Sequence, residues 1–148
     1  MKKIIAVLLT IFICVSLPGC GENATTELTN IGEYEGCSLE LLSAEKITTE
    51  DGKKAVRVTA TYTNSNSDTM YAYSSFAVRG FQNDVELDDL SDINGNEKSL
   101  TSEIKDGQSI PVAFVFELTD NSPVVVLIGT PVADSETIGK AIYFSAEE

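Results

Sequence analysis

Histidine is absent from the sequence, and bases are scarce: 10 Lys and Arg stand against 23 Asp and Glu, for a formal net charge of −13. Without an imidazole there is no Ser-His-Asp or Cys-His nucleophile arrangement and no histidine-based zinc site. The shortage of Lys and Arg weighs against nucleic acid, whose phosphates need them, and against lying on an anionic lipid surface. It favours solubility and cationic or neutral partners. No glycine-rich phosphate loop is present, neither GxGxxG nor GxxxxGK[ST]. Cysteine occurs only as Cys14, Cys20 and Cys37. Past residue 17 there is no second long hydrophobic run.

The first hydrophobic run is informative. Met1-Lys2-Lys3 is basic, and Ile4 to Leu17 is apolar except for Thr10 and Ser16. This is shorter than the roughly 20 residues that cross a bilayer, and it has the length and flanks of a signal peptide's apolar region. It closes with Leu17-Pro18-Gly19-Cys20. That ending resembles the lipobox of bacterial lipoproteins. The resemblance implies that 1–19 is a lipoprotein signal peptide, cut before Cys20, whose thiol receives a diacylglycerol. Pro18 departs from the Ala, Ser or Thr usual at its position. An uncleaved anchor and a plain secretory signal are the alternatives. Cleavage removes Lys2, Lys3 and no acid, so the net charge becomes −15. Cys37 is then the one remaining thiol, and no internal disulfide forms. It is either a small buried apolar residue or a stray thiol.

Residues 20–36 are polar and aperiodic after the cysteine, and read as a flexible tether. Residues 37–148 read as one domain. Leu39 and Leu41 alternate with polar neighbours, and Asp51-Gly52 is a hairpin signal. Val56, Val58, Ala60 and Tyr62 fall on one face of the clearest strand, with Arg57, Thr59, Thr61 and Thr63 on the other. Met70 to Gln82 suits a strand with a bulge, and Asn83-Asp84 turns it into Val85-Glu86-Leu87. Residues 88–108 are irregular and acidic, with room for a short helical turn. In Ser109 to Leu118 the residues Ile110, Val112, Phe114, Phe116 and Leu118 share a face, and Pro111 fits an edge or first position. Val124 to Ile128 is continuously apolar, as for a strand buried on both sides. Ile138 to Phe144 closes the series. About seven short strands between turns predict an all-β fold, an antiparallel β-sandwich.

The ordered series Phe81-Gln82-Asn83-Asp84-Val85-Glu86-Leu87, Ile104 to Ser109, Val112 to Leu118 and Asp120 to Val124 resembles a group of Gram-positive surface lipoproteins with an immunoglobulin-like domain of unknown function. The resemblance runs from about Cys37 to Ser145. It implies an extracellular immunoglobulin-like sandwich and brings no catalytic residues. With no tryptophan and no disulfide, the antibody-type Cys–Trp–Cys core is excluded.

Four sets of residues invite chemistry. Ser43-Ala44-Glu45-Lys46 matches S-x-x-K, but on a strand residues three apart face opposite ways, and the companion motifs are missing. Between Asp84 and Asp106, eight acids accompany only Lys98 and Lys105. Within that segment Asp88, Asp89, Asp92, Asn94, Asn96 and Glu97 are candidates for binding or for calcium, which takes several oxygen ligands. The EF-hand register fails, since aligning Gly95 with the invariant glycine puts Leu90 and Thr101 at the end ligands. A solvated acidic loop is the plainer alternative. Two facing carboxylates would serve glycoside hydrolysis, though nothing selects a pair. Tyr71 and Tyr73 share one face of the expected strand, either as an outward aromatic contact patch or as core.

The function expected is a non-catalytic binding or interaction module, lipid-anchored at the extracellular face of the cytoplasmic membrane. It needs no cofactor unless calcium binds, and its partners are an envelope protein, cell-wall polymer or a host ligand. An envelope enzyme using paired carboxylates, an inhibitor of such an enzyme, and a structural spacer are the rivals.

Overall fold

The alternation of Val56, Val58, Ala60 and Tyr62 builds the centre of the molecule. In the computed structural model, which describes residues 28–91, 97–132 and 136–144, these four lie on β3 (Lys54–Asn64) with 1% exposure or less. Strand β3 is paired on one side with β2 (Cys37–Thr48) and on the other with β6 (Gln108–Glu117), both antiparallel. The register sets Val56 beside Phe116, Val58 beside Phe114 and Ala60 beside Val112. One apolar face therefore runs across three strands. A second sheet covers it, formed by β4 (Ala77–Gln82), β5 (Val85–Glu86), β7 (Val124–Gly129) and β8 (Thr137–Tyr143). With β1 (Ile31–Tyr34) the strand orders are β1-β2-β3-β6 and β5-β4-β7-β8. The expected all-β sandwich is present, with eight strands among the described residues rather than about seven.

The additional strand corrects the tether. Residues 31–34, expected to be flexible, form β1 and pair with β2 across a Glu35-Gly36 turn. Both turn residues have positive φ, 46° and 77°, as the hairpin turn that matches strand twist requires. The only fully buried residue of β1 is Gly32, so no hydrophobic period announced the strand. A Cβ on Gly32 would sit 2.7 Å from Ile128 Cγ2. Its absence lets β1 close onto β8, where the Lys140 amide donates to the Thr29 carbonyl at 2.7 Å.

Two further expectations change. Residues 70–76 are not part of a strand: Ala72–Ser75 is a single helical turn, α1, and the strand begins only at Ala77. The Ser74 and Ser75 hydroxyls both donate to the Tyr71 carbonyl, at 3.1 and 2.8 Å, a side-chain alternative to the ladder. Nor is β7 buried on both sides. Val124, Val126 and Ile128 are buried, whereas Val125 and Leu127 are only partly covered. The short helical turn for which residues 88–108 left room is α2 (Glu97–Leu100).

The acidic connection has a structural task. The Glu117 amide donates to the Asp88 carbonyl at 2.9 Å, and the Leu90 amide to the Val115 carbonyl at 2.7 Å. This covers the open edge of β6, where unpaired backbone groups would otherwise invite another strand. Leu90 packs with Ala55 and Val115 in a small cluster of its own.

At the end of β3 sits a buried polar knot. Asn64 is fully buried. Its amide nitrogen donates to the Asp68 and Ile104 carbonyls, both at 2.8 Å, and its Oδ1 accepts from the Asn66 amide at 2.8 Å. Cys37 is a free, buried thiol beside it. The Tyr62 hydroxyl bonds to Cys37 Sγ at 3.1 Å and to Ser75 Oγ at 2.9 Å. Of the two alternatives for Cys37, the buried one holds.

Candidate functional site

The sequence-derived candidates are dispersed. Cys20 lies outside the described residues, as do Asp92, Asn94 and Asn96. Glu97 opens α2, and its side chain is outside the described set. Asp88 and Asp89 are exposed, and Asp89 Oδ1 accepts from the Ser91 amide at 2.8 Å, a local turn. No three acidic or cysteine side chains among the described residues converge on one point. Ser43 stands on β2 and shares a hydrogen bond with Thr59 at 2.8 Å, across the strands.

Tyr71 and Tyr73 do come together, but at the start of the helical turn α1, with Tyr71 just before it and Tyr73 within it, instead of on a strand. Their ring centroids are 5.9 Å apart. Tyr73 is 59% exposed, so the pair faces outward. The Tyr71 hydroxyl donates to Glu103 Oε1 at 3.1 Å, and this neighbouring carboxylate raises its pKa. The result is a two-ring platform beside an acid.

A more completely built site lies on the outer face of the second sheet. Antiparallel register partners share a face, so exposed Glu86, Phe81, Val125 and Ile142 form one row across β5, β4, β7 and β8, and Arg79, Leu127 and Lys140 form the next. Ile142 is 52% exposed, and Phe81, Val125 and Leu127 are half-buried. Over these rows runs a groove of about 480 Å³, lined by Phe81, Asn83, Asp84, Pro123, Val125, Leu127 and Lys140. The Arg79 guanidinium lies 5.8 Å from the centre of the Phe81 ring, within reach of a cation–π contact.

The end of the groove at Asn83-Asp84 is rigid. Both residues have positive φ, 49° and 63°, the two-residue turn that joins β4 to β5. Behind it Gln82 is buried, and its Oε1 accepts from the Thr119 amide at 2.9 Å while its Nε2 donates to the Ser122 carbonyl at 2.9 Å. Asn83 Nδ2 donates to Asp120 Oδ2 at 2.9 Å. The Ser122 amide donates to Asp120 Oδ1 at 2.7 Å, and these bonds hold the Asp120 carboxyl below its usual pKa. The Asp84 side chain itself is exposed and has no bond or ion pair among the described residues.

The opposite end carries Arg79 and Lys140 on either side of Leu127. Neither takes part in an ion pair among the described residues, unlike Lys53 with Glu117 or Arg57 with Glu45. On a chain of net charge −13, two cations flanking Leu127, neither in an ion pair among the described residues, form a distinct patch beside Phe81, Val125 and Ile142. A continuous apolar run such as Val124 to Ile128 reads as a strand buried on both sides, which hides this patch in the sequence.

Likeness to known proteins agrees with this architecture. The family model described as domain of unknown function (DUF5067) matches residues 21–128. A protein from Staphylococcus aureus described as a candidate lipoprotein has a similar structure, with TM-score 0.59 and 15% identity over 77% of this chain and 87% of that one. A candidate lipoprotein from Bacillus subtilis gives TM-score 0.55 and 13% identity over 79% of this chain, and this chain spans only 38% of that longer protein. An NMR structure from Enterococcus faecalis gives TM-score 0.52 and 19% identity, covering 79% and 90%. No curated protein sequence matches the chain.

Proposed function

Because the chain belongs to the family described as domain of unknown function (DUF5067), whose description assigns no activity, we propose from the site itself that it is a non-catalytic binding module. It is displayed at the outer face of the cytoplasmic membrane of a Gram-positive bacterium and held there by lipid on Cys20. The observation that carries this reading is the open groove on the outer face of β4, β7 and β8, with its apolar floor and unpaired charges.

Several features support it. The groove contains a single carboxylate, Asp84, where glycoside hydrolysis uses a pair. Its floor is concave and apolar with a few polar groups at the ends, the usual composition of a ligand site. The strand orders support an immunoglobulin-like reading of the sandwich. On that reading β2, β3 and β6 would correspond to A, B and E, with β1 added beside A, and β5, β4, β7 and β8 to C′, C, F and G. The Asp88–Leu90 segment along β6 then stands where D would lie. The anchor keeps the module near the membrane, since the nine residues from Cys20 to Thr29 reach at most about 30 Å.

Two experiments test this. A photo-cross-linking residue at Phe81, used in intact cells, should yield a discrete adduct that the same residue at exposed Glu45 does not. Adducts at neither position, or only at Glu45, would remove the binding-module reading. Cys20→Ala should abolish lipid labelling and release the protein to the medium, and labelling that persists would refute the anchor.

A further inference from the structure

We infer that the groove over β4 and β7 takes a short extended peptide segment of about four residues, apolar in its middle, with a cationic group at one end and a carboxylate at the other. The inference rests on the binding-module reading and names its ligand class and orientation.

The length follows from the sheet. The row that holds Lys140 and the Asn83-Asp84 turn are four residues apart along β4, and a strand rises about 3.3 Å per residue, so this row and the turn are separated by roughly 13 Å along the sheet. An extended chain of about four residues spans the same distance. The floor between the ends is Phe81, Val125 and Leu127, with Pro123 beside the turn. Flat apolar rows of this kind accept side chains that project from an extended backbone every second residue.

The polarity follows from charge. Asp84 stands at one end with no partner among the described residues, and Lys140 lines the other, with Arg79 across Leu127 from it and its guanidinium over the Phe81 ring. A peptide lying along the groove would set its cation on Asp84 and its carboxylate between Arg79 and Lys140. The reverse orientation would place like charges together at both ends. The cationic end is also the one that the remainder of this acidic molecule attracts. A second copy of the chain is a poorer occupant, since two bodies of net charge −15 repel.

The probe is the tetrapeptide Val-Leu-Val-Ala with free termini, titrated into the 15N-labelled lipidated chain in zwitterionic nanodiscs. Amide shifts should appear at Phe81, Val125, Leu127 and Lys140. N-acetylation of the peptide should weaken binding by about fivefold, and C-amidation by a similar factor, the size of one exposed charge pair. In Asp84→Asn, acetylation should no longer matter, and in Arg79→Gln/Lys140→Gln, amidation should no longer matter. No shifts at millimolar peptide would overturn the proposal, as would shifts on this face that ignore both caps. An inverted pairing of caps and variants would overturn the orientation and with it the charge argument. The Phe81 cross-link separates the two levels. An adduct in cells without peptide binding leaves a binding module for another ligand, and loss of both removes the module reading as well.

Discussion

Asn64 ties three loops to the end of the central strand, and its replacement gives a graded test of the fold. Its side chain makes three hydrogen bonds of 2.8 Å, two as donor and one as acceptor, its Oδ1 also accepts a weak one from the Cys37 thiol at 3.7 Å, and it is fully buried. Each such bond contributes a net ~1 kcal/mol, with a further cost where a buried partner is stranded. Asn64→Ala should therefore destabilise the domain by about 3 kcal/mol, a large fraction of the 5–15 kcal/mol typical of a domain. At roughly 4 °C per kcal/mol for a domain of this size, the melting temperature should fall by about 12 °C. Asn64→Asp is the sharper variant. It keeps the acceptor facing the Asn66 amide and turns a carboxylate oxygen towards the Asp68 and Ile104 carbonyls. Burial and those carbonyls disfavour the charged form, so the folded-state pKa of this new acid rises above its unfolded value. The native state then binds more protons than the unfolded one, and stability falls as pH rises between the two values. Each unit of displacement costs about 1.4 kcal/mol at neutral pH. Urea unfolding followed by tyrosine emission and far-ultraviolet dichroism, at pH 7 and at pH 4, measures both effects. The Asp variant should lie well below wild type at pH 7 and approach the Ala variant or better at pH 4. A loss under 0.5 kcal/mol for Asn64→Ala, or an Asp variant indifferent to pH, would refute the role of this knot.

Other positions give independent expectations. Burial, assisted by the contact with Cys37, pushes the Tyr62 hydroxyl up to about 12, so its contribution to stability is complete below pH 10 and is lost as pH rises towards 12; the alkaline unfolding limb should flatten in Tyr62→Phe. A Cβ on Gly80 would sit 2.8 Å from the Phe116 ring between the sheets, so Gly80→Ala should destabilise by about 1–3 kcal/mol in urea unfolding; a neutral result would mean that the sheets separate freely. The Tyr143 hydroxyl is buried without a hydrogen-bond partner among the described residues, so Tyr143→Phe should leave stability unchanged or raise it by up to about 1 kcal/mol; a loss beyond 1 kcal/mol would reveal a partner for that hydroxyl.

The parts of the fold that were legible are those where one physical rule acts alone. Strand β3 was readable because every second residue is buried between the sheets, and β6 because its apolar face meets β3 in register. The turns at Asp51-Gly52 and Asn83-Asp84 were readable because positive φ restricts which residues fit. Strand β1 was not, since its buried position is a glycine that works by lacking a side chain. The helical turn α1 was missed because serine hydroxyls closing on Tyr71 overrode an apparent alternation of aromatics. Tyr71 and Tyr73 were expected as neighbours and are so, for a different geometric reason. The acidic segment stood out as a charge run, yet in Asp88–Leu90 the backbone protects the edge of β6.

The groove was illegible from β7 alone but follows once the number of layers is known. A continuous apolar strand is buried on both faces only if a third layer covers it, as helices do in parallel sheets. The sequence offers no helical period outside the residues 4–17 run with which to build such a layer. Two sheets of four strands leave each strand one outward face. Val125 and Leu127, both apolar, therefore had to end on the surface, and the register then aligns them with Phe81, Ile142, Arg79 and Lys140. A surface strand that spends its outward positions on valine and leucine gains nothing for core packing from them and adds an adhesive face. Asp84, Arg79 and Lys140 around that face give it direction. The charge pattern and the apolar row are separable by mutation. Exchanging Leu127 for Thr, another β-former, should weaken a peptide in the groove without reversing its orientation. Exchanging the charges should alter orientation while the apolar contact persists.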